Sequence, residues 1–193
     1  MLKRIKSDFL RNIITLMTGT TIAQAVPILI SPILTRIYSP EDFGIFALYM
    51  SIVSILSVIV TGRYELAILL PKEEKEANAI VTAIFYISTF ISLLVLLIIY
   101  LYKDILLPAL SIENLNNWVY IIPLSIFIVG LSQALVNLSN RYEQYNRLAV
   151  SKISQSTSTA STNLILGYGD WIKGGLIIGA VIGQLINLII LLK

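Results

Sequence analysis

An all-α integral membrane protein, built as a six-helix transmembrane bundle, is the fold class this sequence predicts. Three observations predict it. With 56% hydrophobic residues, 13% charged residues and a mean hydropathy of +0.84, the chain is too apolar for a soluble globule. Six apolar runs, spanning roughly 12–36, 43–63, 77–101, 118–138, 148–168 and 172–192, have the length of bilayer crossings. The basic residues also alternate in density from one connection to the next. With the N-terminus in the cytoplasm, the inner segments hold Lys3, Arg4, Lys6, Arg11, Arg63, Lys72, Lys75, Arg141, Arg147, Lys152 and Lys193. The outer segments hold only Arg36, Lys103 and Lys173. That bias puts both termini inside and treats residues 1–193 as a single transmembrane unit.

The N-terminal MLKRIKSDFLRN is basic and precedes an apolar run, as a secretion signal would. No small-residue cleavage site follows and the run is too long, so a retained first helix is expected. Thr20, Gln24, Ser31 and Thr35 recur on one face of that helix, with Pro27 on the face and Pro32 beside it. Proline removes a backbone donor, which a bilayer tolerates only where neighbours or water satisfy the freed carbonyl. A polar, proline-bearing face therefore looks into the protein, either lining a wet cavity or gluing helices together.

The turn TRIYSPEDFG then starts the second helix. Ser39 is placed to cap it, Pro40 suits the first helical position, and Glu41 and Asp42 face the positive end of the dipole. Asp42 stands at the capping-box position. From Phe43 to Thr61 no charge interrupts the run, which extends about 28 Å as a helix. Arg63, Tyr64 and Glu65 end it. Arg63 and Glu65 form either a charged gate or a snorkelling cation beside a solvated carboxylate; Arg36, at the opposite end, poses the same choice.

The third run is the most apolar and is expected to face lipid. LYKDILLPALSIENLNN follows it, long enough for a short surface helix broken at Pro108, with Trp118 and Tyr120 at the membrane interface. Gln133, Asn137 and Asn140 share a face of the fourth run and lead into Arg141; they face a vestibule or bond to the fifth helix. The fifth run, SKISQSTSTASTN, is a series of hydroxyls with Gln155 and Asn163. Ser151, Gln155, Ser158 and Thr162 share a stripe. A helix this polar cannot face lipid and is expected to be deeply packed through small residues. In the sixth run, after Asp170 and Trp171, Gly175, Gly179 and Gly183 form a small-residue ridge for close helix packing, and Gln184 and Asn187 are expected to be satisfied inside the bundle.

Two blocks carry a family resemblance. LTRIYSPEDFGIFALYMSIVSILSVIVTGRYELAILLPK resembles the first helical hairpin of the polysaccharide-transporter flippases, the Wzx-like members of the multidrug/oligosaccharidyl-lipid/polysaccharide exporter superfamily. NRYEQYNRLAVSKISQS is similar to a cytoplasmic loop and following helix of the same proteins. The resemblance covers the N-terminal half of such proteins, whose two six-helix lobes rock about a central cavity. It implies one lobe of a two-lobe flippase in the bacterial inner membrane. The implied activity is translocation of undecaprenyl-diphosphate-linked oligosaccharide for O-antigen, capsule or exopolysaccharide synthesis. The alternative is a half-length lobe that acts only by self-association or with a second flippase lobe.

Under that resemblance, Thr20, Gln24, Ser31, Thr35, Gln133, Asn137 and Gln155 would offer hydroxyls and amides to the lipid-linked sugar, with Arg36, Arg63, Glu65 and Arg141 flanking the path. No Lys or Arg is expected near mid-membrane to receive a diphosphate. With no His and no Cys, the usual metal sites, haem ligation and His- or Cys-based catalysis are excluded. No paired intramembrane carboxylates, phosphate loop or activated nucleophile suggest an enzyme, and no cofactor is expected. The net charge of +3 is spread between spans, which argues for membrane lipids rather than nucleic acid as its partner.

Overall fold

The computed structural model describes residues 2–109, 112–169 and 174–193, with side-chain surroundings from Ile13 onward except at Glu113. The side chains of Lys3, Arg4, Lys6 and Arg11, and all of Asp170, Trp171 and Lys173, lie outside the described residues. Six α-helices account for most of the chain: α1 (Leu2–Ile37), α2 (Pro40–Thr61), α3 (Glu74–Ala109), α4 (Ile122–Arg141), α5 (Tyr145–Tyr168) and α6 (Gly175–Leu192). Short 3-10 helices at Tyr64–Leu69 and Glu113–Ile121 join α2 to α3 and α3 to α4. No strand occurs among the described residues. Five stretches, Ile13–Ile37, Pro40–Thr61, Glu74–Ala109, Asn114–Arg141 and Gly175–Leu192, are long and apolar enough to cross a membrane. The protein is an all-α membrane bundle.

Helix α5 is not among those five, because its hydroxyl run dilutes its apolar content, yet it is continuous over 24 residues. Packing explains how. It lies between α1 and α6, while α4 packs against α2, α3 and α6 and so joins the two sides of the bundle. The glycine ridge of α6 faces α5 as its spacing predicts. A Cβ at Gly179 would collide with Asn163 Oδ1, and one at Gly183 with Thr159 Oγ1. Between α1 and α5 the close approach is Gly19 against Ala149. Gly167 in turn meets Ile37 and Tyr38, so α1 and α5 run parallel and stay in step.

One hydrogen bond accounts for the proline in α1. Pro27 has no N–H to give the carbonyl of Ala23, one turn earlier. Ser156 of α5 donates its hydroxyl to that carbonyl at 2.5 Å. The helix continues through Pro27 and Pro32 without losing its assignment.

The connections follow from local chemistry. Ser39 caps α2 in a complete capping box: its hydroxyl accepts from Asp42 N at 3.2 Å, and its own N–H donates to Asp42 Oδ2 at 2.9 Å. At the other end α2 closes with Gly62 and Arg63 both left-handed, φ 54° and 62°. Arg141 donates from Nη1 to the Ile68 carbonyl at 3.0 Å and, more weakly, from Nη2 to Glu73 O at 3.5 Å. Arg147 donates to the carbonyls of Ile190 (3.1 Å) and Leu191, satisfying groups that the end of α6 leaves open. The largest core cluster centres on α4 and α6 and includes Tyr49, Val53, Ile126, Ile128, Leu148 and Ile177. Within it Tyr49 Oη and Ser125 Oγ share a 2.6 Å hydrogen bond that ties α2 to α4.

Three expectations change. Helix α3 is not broken at Pro108 but runs on to Ala109, since a proline near the end forfeits a bond only one turn back, to Asp104. Glu65 is buried rather than solvated, because the 3-10 turn folds it beneath α3 and α4. Gln184 is buried, but its Oε1 finds no hydrogen-bond partner among the described residues. Trp118 is half-buried against Gly174. Most of α3 is exposed, with Tyr86, Phe90, Leu93 and Tyr100 outermost, the surface a lipid-facing helix presents.

Two tests follow from the packing. Gly183→Leu forces a side chain into Thr159 and should cost about 1–3 kcal/mol. Gly44→Ala, at a helical position with open space around it, should instead gain roughly 0.5–1 kcal/mol. Apparent melting midpoints in detergent would move in opposite directions. Ser156→Ala strands the Ala23 carbonyl and should cost about 1–3 kcal/mol, but much less in a Pro27→Ala background, where residue 27 regains its N–H. A double-mutant cycle showing additivity would reject that pairing.

Candidate functional site

The parallel helices α1 and α5 touch at both ends and are bridged between them by the Ser156–Ala23 hydrogen bond. Gly19 lies on Ala149 at one end. At the other, the Tyr38 phenol donates to the Asn163 carbonyl at 2.7 Å. Burial, with Asp42 nearby, raises the Tyr38 pKa and keeps that phenol a donor. Between these closures lies a groove of about 380 Å³, whose polar lining comes from Thr20, Gln24, Lys152, Gln155, Ser156, Thr159 and Asn163. Ala23, Pro27, Ile30, Leu34 and Ala160 supply its apolar wall. The two chemistries come from the two helices, apolar mostly from α1 and hydroxyl-rich from α5.

The polar groups differ in what remains available to a ligand. Thr20 donates its hydroxyl to the carbonyls of Leu16 (2.7 Å) and Met17 (2.9 Å), so it offers only lone pairs. The Ser156 hydroxyl is committed to Ala23. Asn163 Oδ1 is buried and has no hydrogen-bond partner among the described residues. Gln24 and Lys152 are exposed and Gln155 is half-buried, leaving two amides and one ammonium for a guest. An ammonium beside amides and hydroxyls can hold an anionic group next to polyol hydroxyls.

The structure therefore brings together Thr20, Gln24 and Gln155 and leaves the other sequence-predicted residues elsewhere. Ser31, Thr35 and Arg36 are exposed and do not line the groove; Thr35 donates to its own Pro32 carbonyl at 3.1 Å. The groove follows Thr20, Ala23, Pro27, Ile30 and Leu34, and Ser31 and Thr35 each sit about 100° round the helix from the lining residue before them. Gln133 and Asn137 are half-buried on α4, where the Asn137 amide donates to the Gln133 carbonyl at 3.0 Å rather than to α5. Arg63 is exposed, and Arg141 is engaged by the backbone of the Tyr64–Glu73 connection. Glu65 is buried, with Oε2 unpartnered among the described residues.

Sequence reasoning missed four polar lining residues, Lys152, Ser156, Thr159 and Asn163. Lys152 entered it only as part of a charge count, and the cations expected to flank the path were Arg36, Arg63 and Arg141, yet it is Lys152 that reaches the groove, from the second turn of α5. Thr159 and Asn163 lie on the stripe 152, 155, 156, 159, 163, which is as regular as the stripe Ser151, Gln155, Ser158, Thr162. On a helix polar nearly all round, periodicity does not choose between faces. Among the described residues no cluster of three or more His, Cys, Asp or Glu could hold a metal ion.

Comparison with known proteins adds one positive result. No curated protein and no solved structure matches the chain. A family model described as "Polysaccharide biosynthesis protein" matches residues 9–193. With nearly the whole chain covered by that match, the protein belongs to the polysaccharide biosynthesis protein family.

Proposed function

We propose that this chain is a membrane lobe of a flippase that translocates an oligosaccharide unit linked to undecaprenyl diphosphate, by alternating access, across the bacterial inner membrane. Such a unit would feed O-antigen, capsule or exopolysaccharide assembly. The observation that carries the reading is the groove between α1 and α5, where Lys152 stands beside Gln24 and Gln155. A lipid diphosphate needs a cation and the attached sugars need donors and acceptors, and this groove offers both on one wall. Family membership supplies the polysaccharide context. The proposed orientation places the Arg63 end of the bundle and both termini in the cytoplasm, because the basic residues concentrate there. Lys152 is then near the inner leaflet, where a newly made lipid-linked unit would be picked up.

A second reading is favoured by the groove's open side. Gln24 is exposed on α1, as are Ser31 and Thr35 next to it, and hydrocarbon is a poor solvent for amides and hydroxyls. A second lobe, or a second copy of this chain, would enclose that side and complete a cavity. In this form the chain transports only when paired.

Two measurements test the proposal. In a flippase-deficient strain, complementation by Lys152→Gln should restore surface polysaccharide about tenfold less well than the wild-type chain or Lys152→Arg. Equal restoration at matched expression would reject a role for the ammonium. The chain has no cysteine, so single substitutions can be read without background. Gln24→Cys and Gln155→Cys should react with a membrane-impermeant maleimide in inside-out vesicles, while Phe90→Cys should not. Silence at both groove positions would remove the watered path on which translocation depends.

A further inference from the structure

A second cavity lies at the other end of the bundle, about 480 Å³ between the start of α2, the Glu113–Ile121 turn and the start of α6. We infer that this cavity is a saccharide-binding pocket, selective for neutral and amino sugars over anionic ones. It goes beyond the translocation reading, since it shares no residue with the groove. Its size is that of an ordinary small-ligand site.

The lining has the two chemistries that a sugar ring presents. Trp118 and Phe46, with Ile45, Leu176 and Ile177, form apolar walls that suit the C–H face of a pyranose. Gly174 fixes the indole. Its backbone is left-handed at φ 87°, and any Cβ there would enter the Trp118 ring. The polar rim is Glu41, Asp42, Asn114 and Asn116. Asp42 Oδ2 is already engaged by the N–H and hydroxyl of Ser39, at 2.9 and 2.7 Å, so its remaining oxygen and the Glu41 carboxylate are the acceptors for sugar hydroxyls. Asn114 and Asn116 are exposed and can both donate and accept. Asn116 is held at φ 41°, a conformation that asparagine tolerates better than most residues.

The charge pattern sets the selectivity. Two carboxylates and, among the described residues, no Lys or Arg line the cavity, so a diphosphate or uronate meets repulsion and an ammonium-bearing sugar meets attraction. The groove at the Lys152 end has the opposite bias. Each end of the bundle is thereby matched to a different part of a glycolipid, the anionic linkage at one and the uncharged sugars at the other.

The test uses the full chain in phosphatidylcholine nanodiscs, which avoids sugar-based detergents. The chain has two tryptophans, so Trp171→Phe leaves Trp118 as the reporter. Chitobiose and glucosamine should change Trp118 emission saturably, with glucuronate and inorganic pyrophosphate at least about tenfold weaker. Glu41→Gln should narrow the gap between glucosamine and glucuronate. Asn116→Gly removes the amide while keeping the backbone conformation and should weaken both sugars about tenfold. Calorimetric titration of the same samples covers the case in which the indole emission is insensitive. No saturable binding by a chain of normal helicity would overturn the inference. So would glucuronate binding as tightly as glucosamine, or Asn116→Gly binding like wild type. The Lys152→Gln complementation result does not enter this titration, so the two readings fail separately.

Discussion

A single hydroxyl on α5 makes the unusual first helix possible. Pro27 leaves the Ala23 carbonyl without its helical partner, and an orphan of this kind costs about 1–3 kcal/mol. Ser156 supplies the missing donor from the neighbouring helix. The bond does more than satisfy an acceptor. It fixes the register of α1 on α5, which sets Gly19 over Ala149 below and Tyr38 by Asn163 above, and so leaves the groove between two closed ends. Proline in α1 and serine in α5 are one structural device written in two distant parts of the sequence.

The same logic explains a helix too polar to face lipid. Helix α5 survives because α6 approaches it through glycines and α1 through Gly19, so its backbone is screened by neighbours on both sides. Its hydroxyls then divide into those that tie helices together, such as Ser156, and those that line the groove, such as Thr159. Function and packing compete for the same residue types here. That competition leaves Asn163 Oδ1 and Gln184 Oε1 buried without partners among the described residues, on either side of the α5–α6 contact.

Much of this was legible in the chain itself, wherever a local rule was strong. The capping box at Ser39–Asp42 was readable because its residues are four neighbours with one geometry. The glycine ridge was readable because only small residues recur at four-residue steps along α6. Long helices announced themselves by hydropathy, and α5 could be placed among them although hydropathy alone passes it over. What stayed hidden depended on partners far away in sequence. Whether Arg141 faced a cavity or a backbone carbonyl turned on Ile68, more than seventy residues upstream. Whether Glu65 met water depended on the 3-10 turn that follows two left-handed residues. Lys152 looked like one more cytoplasmic charge until α1 was laid beside it.

The attachment of Arg141 to the Tyr64–Glu73 connection has a mechanical corollary. It rivets the hairpin of α2 and α3 to the foot of α4, and the Tyr49–Ser125 bond rivets α2 to α4 again higher up. Among the described residues α1 leans chiefly on α5. Tied there by the Ser156–Ala23 and Tyr38–Asn163 bonds, it travels with α5 as one piece, so the space before Lys152 keeps its width when the two sides of the bundle shift against each other.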